Sequence, residues 1–343
     1  MRHRADESPS RRRRRPSGRL MGLLGLGVVG IMMLMCLGSL PFTLGRVATG
    51  DQSIVQAPRR FEARNLDAAM LPPFWAKHRA DERIRLNDLE LTLGKRPRYL
   101  LGTDRLGRSV WMRCLAGGGI SLAIGFSAAM LAVCIGTAYG TIAATAGGRT
   151  DAIMMRIVDV LYGLPYILLV VLLAVAVDGI IERLGIDVGS GWRQVVNVLT
   201  LLIAIGSVTW LTVARVVRGQ VLSLKEQPFM EACRAIGVPF GRQFRRHLLP
   251  NLLGPIIVYT TLTVPTAILS ESFLSFLGIG VREPLPSWGN LAAGGLSELN
   301  IVRVRWWLLF FPCLLIGTTL LALNFAGEGL REVFDPKRRG LTN

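Results

Sequence analysis

Catalytic equipment is the first thing this sequence lacks. Its three histidines, His3, His78 and His247, lie far apart in the chain. There is no H-E-x-x-H, no G-x-S-x-G and no Cys-His cluster, so metal-assisted hydrolysis and nucleophilic acyl transfer find no residues to run on. The glycine run Gly117, Gly118, Gly119 is not followed by G-K-[ST]; a phosphate loop is excluded, and close helix packing is the expected use of those glycines. No cofactor, no metal site and no enzymatic activity is expected. Charge is also scarce. Only 18% of residues are charged, below the globular norm of about 25%. The five cysteines, Cys36, Cys114, Cys134, Cys233 and Cys313, form no C-x-x-C pair, and three of them fall in apolar runs. They read as small hydrophobes and not as a metal site or a disulfide frame. The formal net charge is +17, which on one polar face would indicate nucleic acid. Here it is split into blocks between apolar runs, and no aromatic-basic platform for single strands is present, so no nucleic-acid partner is expected.

What is abundant is apolar sequence: 51% of residues are hydrophobic and the mean hydropathy is +0.43. Residues 1–19 carry eight arginines against Asp6 and Glu7, with Pro9, Ser10, Pro16 and Ser17 between them; this composition predicts a disordered basic tail. Residues 20–44 are uncharged and long enough to span a bilayer at about 1.5 Å per residue. The run exceeds the apolar core of a secretory signal, and no clear A-x-A site follows it, so an uncleaved first helix is the better reading. Residues 45–100 form a polar loop region, in which 78–90 is expected to make a short amphipathic helix. From 101 to 334 a core domain carries five further spans, at 120–146, 160–177, 195–214, 252–277 and 306–326. Thr103 or Asp104 is expected to cap the helix that leads into the first of these. Frequent glycine and alanine within the spans, such as Gly125, Ala128, Gly136 and Gly140, predict close helix contacts and hence one bundle. The fold class expected is therefore an all-α membrane protein, a six-helix bundle. Both termini are expected in the cytoplasm, including the tail 335–343, because the basic segments then fall on one side. That puts 45–118 outside with fourteen Lys and Arg against eight Asp and Glu, which a long translocated loop tolerates.

The longest polar interruption of the C-terminal half, 225–251, reads as two short helices with a bend. Pro228 suits a first turn, Gly237 a helix end, Pro239 the next start. Pro250 is expected to set the far limit of the second helix, which carries Arg242, Arg245 and Arg246. A bent, cationic hairpin between apolar spans suggests a docking handle. Arg242, Arg245 and Arg246 have membrane lipid phosphates as a second expected partner. Glu271 sits inside a span, where an acid is costly and marks a path or a gate, or else a structural hydrogen bond. The serines beside it, Ser270, Ser272 and Ser275, favour a structural or gating hydrogen bond over a substrate ligand. Trp288, Trp306 and Trp307 are expected as anchors at the membrane interface, and contact with a protein outside is a second reading of Trp288.

The hairpin EACRAIG…HLLPN resembles the EAA loop of ATP-binding-cassette importer permeases: Glu231, Ala232, Gly237, Leu249 and Pro250 match, and Cys233 replaces the second alanine of that motif. LGTDRLGR (101–108), FLSFLGIGVREPLPSWG (273–289) and LNFAGEGLREVFDP (323–336) are similar to stretches of the C-type permease of the dipeptide and oligopeptide group. The resemblance runs from about 100 to 340. It implies the six-helix importer-permease fold in the cytoplasmic membrane and ATP-driven peptide import. It further implies a second homologous permease, two cytoplasmic ATPase subunits that hydrolyse the ATP, and an extracytoplasmic substrate-binding protein. In that group the loop is a coupling helix seated in an ATPase groove, which would assign the approach to Ala232, Cys233 and Ala235, an ionic or capping contact to Glu231 and the bend to Gly237. Related permeases are associated with nickel and oligosaccharides, and a secondary transporter or channel is a further alternative. The polar stretch 50–98 looks longer than is usual for the group.

Overall fold

Long runs of Leu, Val, Ala and Gly form long helices here, because only a helix satisfies every backbone polar group within one segment in hydrocarbon. The computed structural model describes residues 18–47, 57–184, 190–299 and 303–334. The expected tails fall almost wholly outside them. In chain order the helices are α1 (Gly18–Thr43), α2 (Ala80–Leu93), α3 (Val110–Ala146), α4 (Gly148–Tyr162), α5 (Tyr166–Arg183) and α6 (Ser190–Lys225). They continue with α7 (Pro228–Ala235), the single turn α8 (Phe240–Gln243), α9 (Leu249–Phe276), α10 (Trp288–Ser297) and α11 (Trp307–Phe334). Among the described residues there is no β-strand, only isolated bridges such as Thr103 with Ser109.

Among the described residues, five stretches are long and apolar enough to cross a membrane: Leu20–Thr43, Val110–Ala146, Trp192–Lys225, Gly241–Phe276 and Trp307–Val333. The sixth is a broken one. The expected span at 160–177 is not one helix: α4 and α5 meet at a 92° bend. Pro165 causes it, since the residue before a proline is pushed out of the helical region. The run therefore divides, α5 extends to Arg183, and α4 turns aside to pack on α6. Two ion pairs hold it there. Arg218 donates to both carboxylate oxygens of Asp151 at 2.6 Å, and Arg215 donates to Asp159 at 2.8 Å.

The helix cap expected at Thr103 or Asp104 lies instead at Ser109, and those two residues do other work. The Thr103 hydroxyl donates to the Ala68 carbonyl at 2.6 Å and accepts from the Leu71 amide at 2.8 Å, while its own carbonyl accepts from the Trp307 indole at 3.3 Å. This fastens the segment 57–109, with its small core of Ala68, Leu71, Leu86 and Leu89, to the start of α11. The amphipathic helix expected at 78–90 is α2. The glycine run packs as expected: a Cβ on Gly118 would lie 2.5 Å from the Trp288 ring and 2.6 Å from Cys36 Sγ. Trp288 is thus not an interface anchor. It is fully buried, and its indole donates to the Cys114 carbonyl at 3.0 Å. Trp307 is buried too, and Trp306 alone of the three has an exposed ring.

The chain passes back and forth, so one end of the bundle gathers the start of α1, the α3–α4 turn, the hairpin after α6 and the end of α11. The other end gathers 57–109, the segment 277–287 and α10.

Candidate functional site

The hairpin begins where α6 runs out. Pro228 takes the first position of α7, where a missing N–H costs nothing. The helix closes on Gly237, whose φ of +69° is left-handed and favours a residue without Cβ. Val238 then donates back to the Cys233 carbonyl at 3.0 Å and Gly237 to the Arg234 carbonyl at 3.0 Å, which satisfies the last carbonyls of α7. The Gln243 amide closes the bend on the Val238 carbonyl at 2.5 Å. Lys225 Nζ donates to the Ala144 carbonyl at 2.8 Å and ties the hairpin to the end of α3. Arg234 donates to the Lys225 carbonyl.

The far limit expected at Pro250 is not there. α8, a wide π turn over Phe244–Leu248 and α9 form one continuous rod, with the Leu249 amide donating to the Phe244 carbonyl. A π turn shifts the hydrogen-bond register by one residue, and Pro250 follows it at the second residue of α9. Pro250 therefore lies on the stem of the hairpin.

Position along α7 separates the candidate residues. Met230 and Cys233, three apart, face inward and are buried; Met230 joins Leu248, Leu252, Val217 and Val221 in a cluster under the hairpin. Cys233 is thus on the wrong side to let a partner approach. Its small size serves the seat of α7. Glu231, Ala232, Ala235 and Gly237 are exposed on the outer side, as is Arg242 beyond the bend. Leu249 is half-buried and Pro250 exposed. Two apolar residues absent from the sequence-based set complete the outward face: Phe229 is 39% and Ile236 is 77% exposed. The spacing Phe229, Ala232, Ile236 puts them on one face of a helix, a signal that was present in the sequence. The arrangement offers a short helix with small residues at its centre, apolar residues at its ends and one acid alongside. It can seat in a groove. Among the described residues no cluster of acids, histidines or cysteines is fit to hold a metal.

Glu271 lies in α9, wholly buried. Ser275 Oγ donates to it at 2.7 Å and Ser272 Oγ at 3.3 Å, and the hydroxyls of Ser121 from α3 and Ser287 at the head of α10 lie beside the carboxyl. Serines of three helices thus gather around one buried carboxyl. The same Ser275 hydroxyl accepts from the Val281 amide at 2.9 Å, so the turn after α9 hangs on it as well.

The charged cluster beyond it was not legible as a unit. Asp104 Oδ2 accepts from Arg108 Nε at 2.7 Å and from Arg113 at 2.8 Å, and its other oxygen accepts the amides of Leu106 and Arg108. Both guanidiniums then reach Glu283, at 3.3 and 3.0 Å. Two stretches 170 or more residues apart in the chain so meet through four charges. Glu283 is partly desolvated, which pushes its carboxyl up, but the Arg113 and Arg108 guanidiniums outweigh this and hold it below the usual carboxylate range.

Residues 136–340 match the family model described as binding-protein-dependent transport system inner membrane component. The chain is 42% identical over 271 residues to the dipeptide transport system permease protein DppC of Bacillus subtilis, covering 79% of this chain and 78% of that protein. It is 42% identical over 241 residues to the oligopeptide transport system permease protein OppC of Haemophilus influenzae, covering 70% of this chain and 71% of that one. A solved MetNI methionine ABC transporter in inward-facing form is similar at 18% identity, with a TM-score of 0.49 over 66% of this chain and 97% of that one.

Proposed function

The chain belongs to the binding-protein-dependent transport system inner membrane components, and on that premise we propose that it is one transmembrane subunit of an ATP-driven importer of dipeptides or oligopeptides. It is a multi-pass inner-membrane protein. The peptide substrate class follows from the relatives named for dipeptides and oligopeptides. A second, homologous permease faces it, two ATPase subunits hydrolyse the ATP in the cytoplasm, and an external binding protein delivers the solute. Both termini and the hairpin are cytoplasmic; the segment 57–109 is outside.

The observation that carries the coupling role is the division of α7: Met230 and Cys233 buried in its seat, Glu231, Ala232, Ala235 and Ile236 turned outward. The helix is clamped at both ends, by Lys225 on α3 and by the continuous rod into α9. A push on its outer face thus moves α3 and α9 together, and ATP binding acts by favouring one arrangement of the bundle over another. Glu271, sealed among serines, holds α3, α9 and α10 in register at the outer end and does not touch the solute.

Co-expression with candidate ATPase subunits tests this reading. The account expects a complex that survives high salt and takes up labelled dipeptides and short oligopeptides in an ATP-dependent manner. A chain that folds in the membrane but recruits no ATPase would overturn it.

A further inference from the structure

The segment before α3 does more than connect two spans. Its core of Leu71, Leu86 and Leu89, with Tyr99 against it, makes α2 and its neighbours a small platform. Between this platform and the start of α11 lies an open cleft of about 560 Å³. Arg79 and Arg85 of the α2 side, Lys77 beside them, and Arg303 and Arg305 opposite make its lining cationic; Asp81 and Glu82 are the acids in it.

The acids there already have partners. Asp81 stands 3.4 Å from Arg303, and the Glu82 carboxylate accepts the Arg79 amide at 2.8 Å at the head of α2. Arg305 is held by Glu298 at 2.6 Å, and Arg85 donates to the Ala69 carbonyl at 2.8 Å. Lys77 and Arg79 are both exposed, and the ion pairs among the described residues engage neither of their charged ends. The cleft is thus left with unspent positive charge beside a fixed aromatic wall. Trp306 lines it and meets Trp75 with ring centroids 5.9 Å apart. Trp75 is 56% exposed, yet its indole is pinned to the Leu100 carbonyl at 3.0 Å. An oriented, exposed tryptophan next to free cations has the composition of a protein-protein hot spot.

We infer that this cleft receives an acidic loop of the external substrate-binding protein, its carboxylate meeting Lys77 and Arg79 and its flanking residues resting on Trp75 and Trp306. The inference depends on the importer reading above and adds to it the docking site and the charge of the partner. It also gives the long polar stretch a task.

The test uses the complete transporter in nanodiscs of phosphatidylcholine, titrated with its cognate binding protein. Lys77→Glu with Arg79→Glu is expected to weaken binding about tenfold or more and to flatten its salt dependence, with the complex assembling as in the wild type. The pair Lys77→Arg with Arg79→Lys is expected to retain binding, and Trp75→Ala to weaken it without changing the salt slope. Wild-type affinity in the charge-reversed transporter would overturn the inference. So would nanodiscs containing phosphatidylglycerol that raise the melting temperature of the wild type but not of the reversed variant, with binding unchanged; that result would assign the cleft to lipid headgroups. If the binding protein neither binds nor stimulates the wild type, it is the importer reading that fails.

Discussion

At the scale of single residues, charge is placed where it can be answered. Asp104 collects two guanidiniums and two backbone amides, and Glu283 closes the set from 170 residues away or more. Burying such a group is tolerable only when every charge is paired. The depressed Glu283 carboxyl gives a pH signature. Its folded value lies below the unfolded one, about 4.3, so its contribution is present above that value and is lost as pH falls through the folded value. Melting curves in detergent should show the wild type losing its advantage over Glu283→Gln below about pH 4. An advantage that persists unchanged at lower pH would refute the pairing. Glu271 makes a second residue-scale case. Glu271→Leu strands the hydroxyls of Ser272 and Ser275 and should cost about 1–3 kcal/mol of stability. Glu271→Gln keeps an acceptor for them and should melt close to the wild type while transporting normally. Lost uptake by the glutamine variant at an unchanged melting temperature would instead place Glu271 on the solute path.

At the scale of the element, the hairpin depends on one backbone angle. A Cβ on Gly237 would meet nothing within 4 Å, so Gly237→Ala bears only the cost of a left-handed backbone, about 1–2 kcal/mol. Gly237→Pro is different in kind, since its φ cannot be positive and it also loses the amide that donates to Arg234. ATP hydrolysis coupled to uptake should survive the alanine and fail in the proline variant, with both inserted in the membrane; equal behaviour of the two would remove the bend from the account. The hairpin was largely readable in advance, because Pro228, Gly237 and Pro239 act through local backbone rules. What escaped was non-local. Whether Cys233 faces in or out depends on Met230 finding Leu248 and Leu252 beneath it. The helix through Pro250 depends on a π turn that no residue type announces. The break of the third run was legible in Pro165, but the apolar count across 160–177 concealed it. The cluster of Asp104, Arg108, Arg113 and Glu283 had no local signature at all, since its members meet only in the fold.

At the scale of the molecule, small residues set how closely the helices approach. α1 crosses α11 with the backbones in contact: a Cβ on Gly22 would fall 2.5 Å from the Gly329 Cα. Gly329→Leu should therefore force the two helices apart and destabilise the protein by about 1–3 kcal/mol, seen as a lower melting temperature in detergent; an unchanged melt would mean that α1 is not docked there. On the proposed reading the bundle acts as a lever: α3 and α9 carry the hairpin at one end and the Glu271 and Asp104 groups at the other, so they would pass on a displacement of α7. The measurement that bears most directly on this is ATP hydrolysis by the reconstituted transporter, with and without its binding protein, for the wild type and for Glu231→Lys. Glu231 is exposed and supports nothing in the bundle, so the variant should fold and insert normally. The account predicts that stimulation by the binding protein, present in the wild type, is lost or strongly reduced in Glu231→Lys. Full stimulation in that variant, at equal amounts of assembled complex, would contradict it.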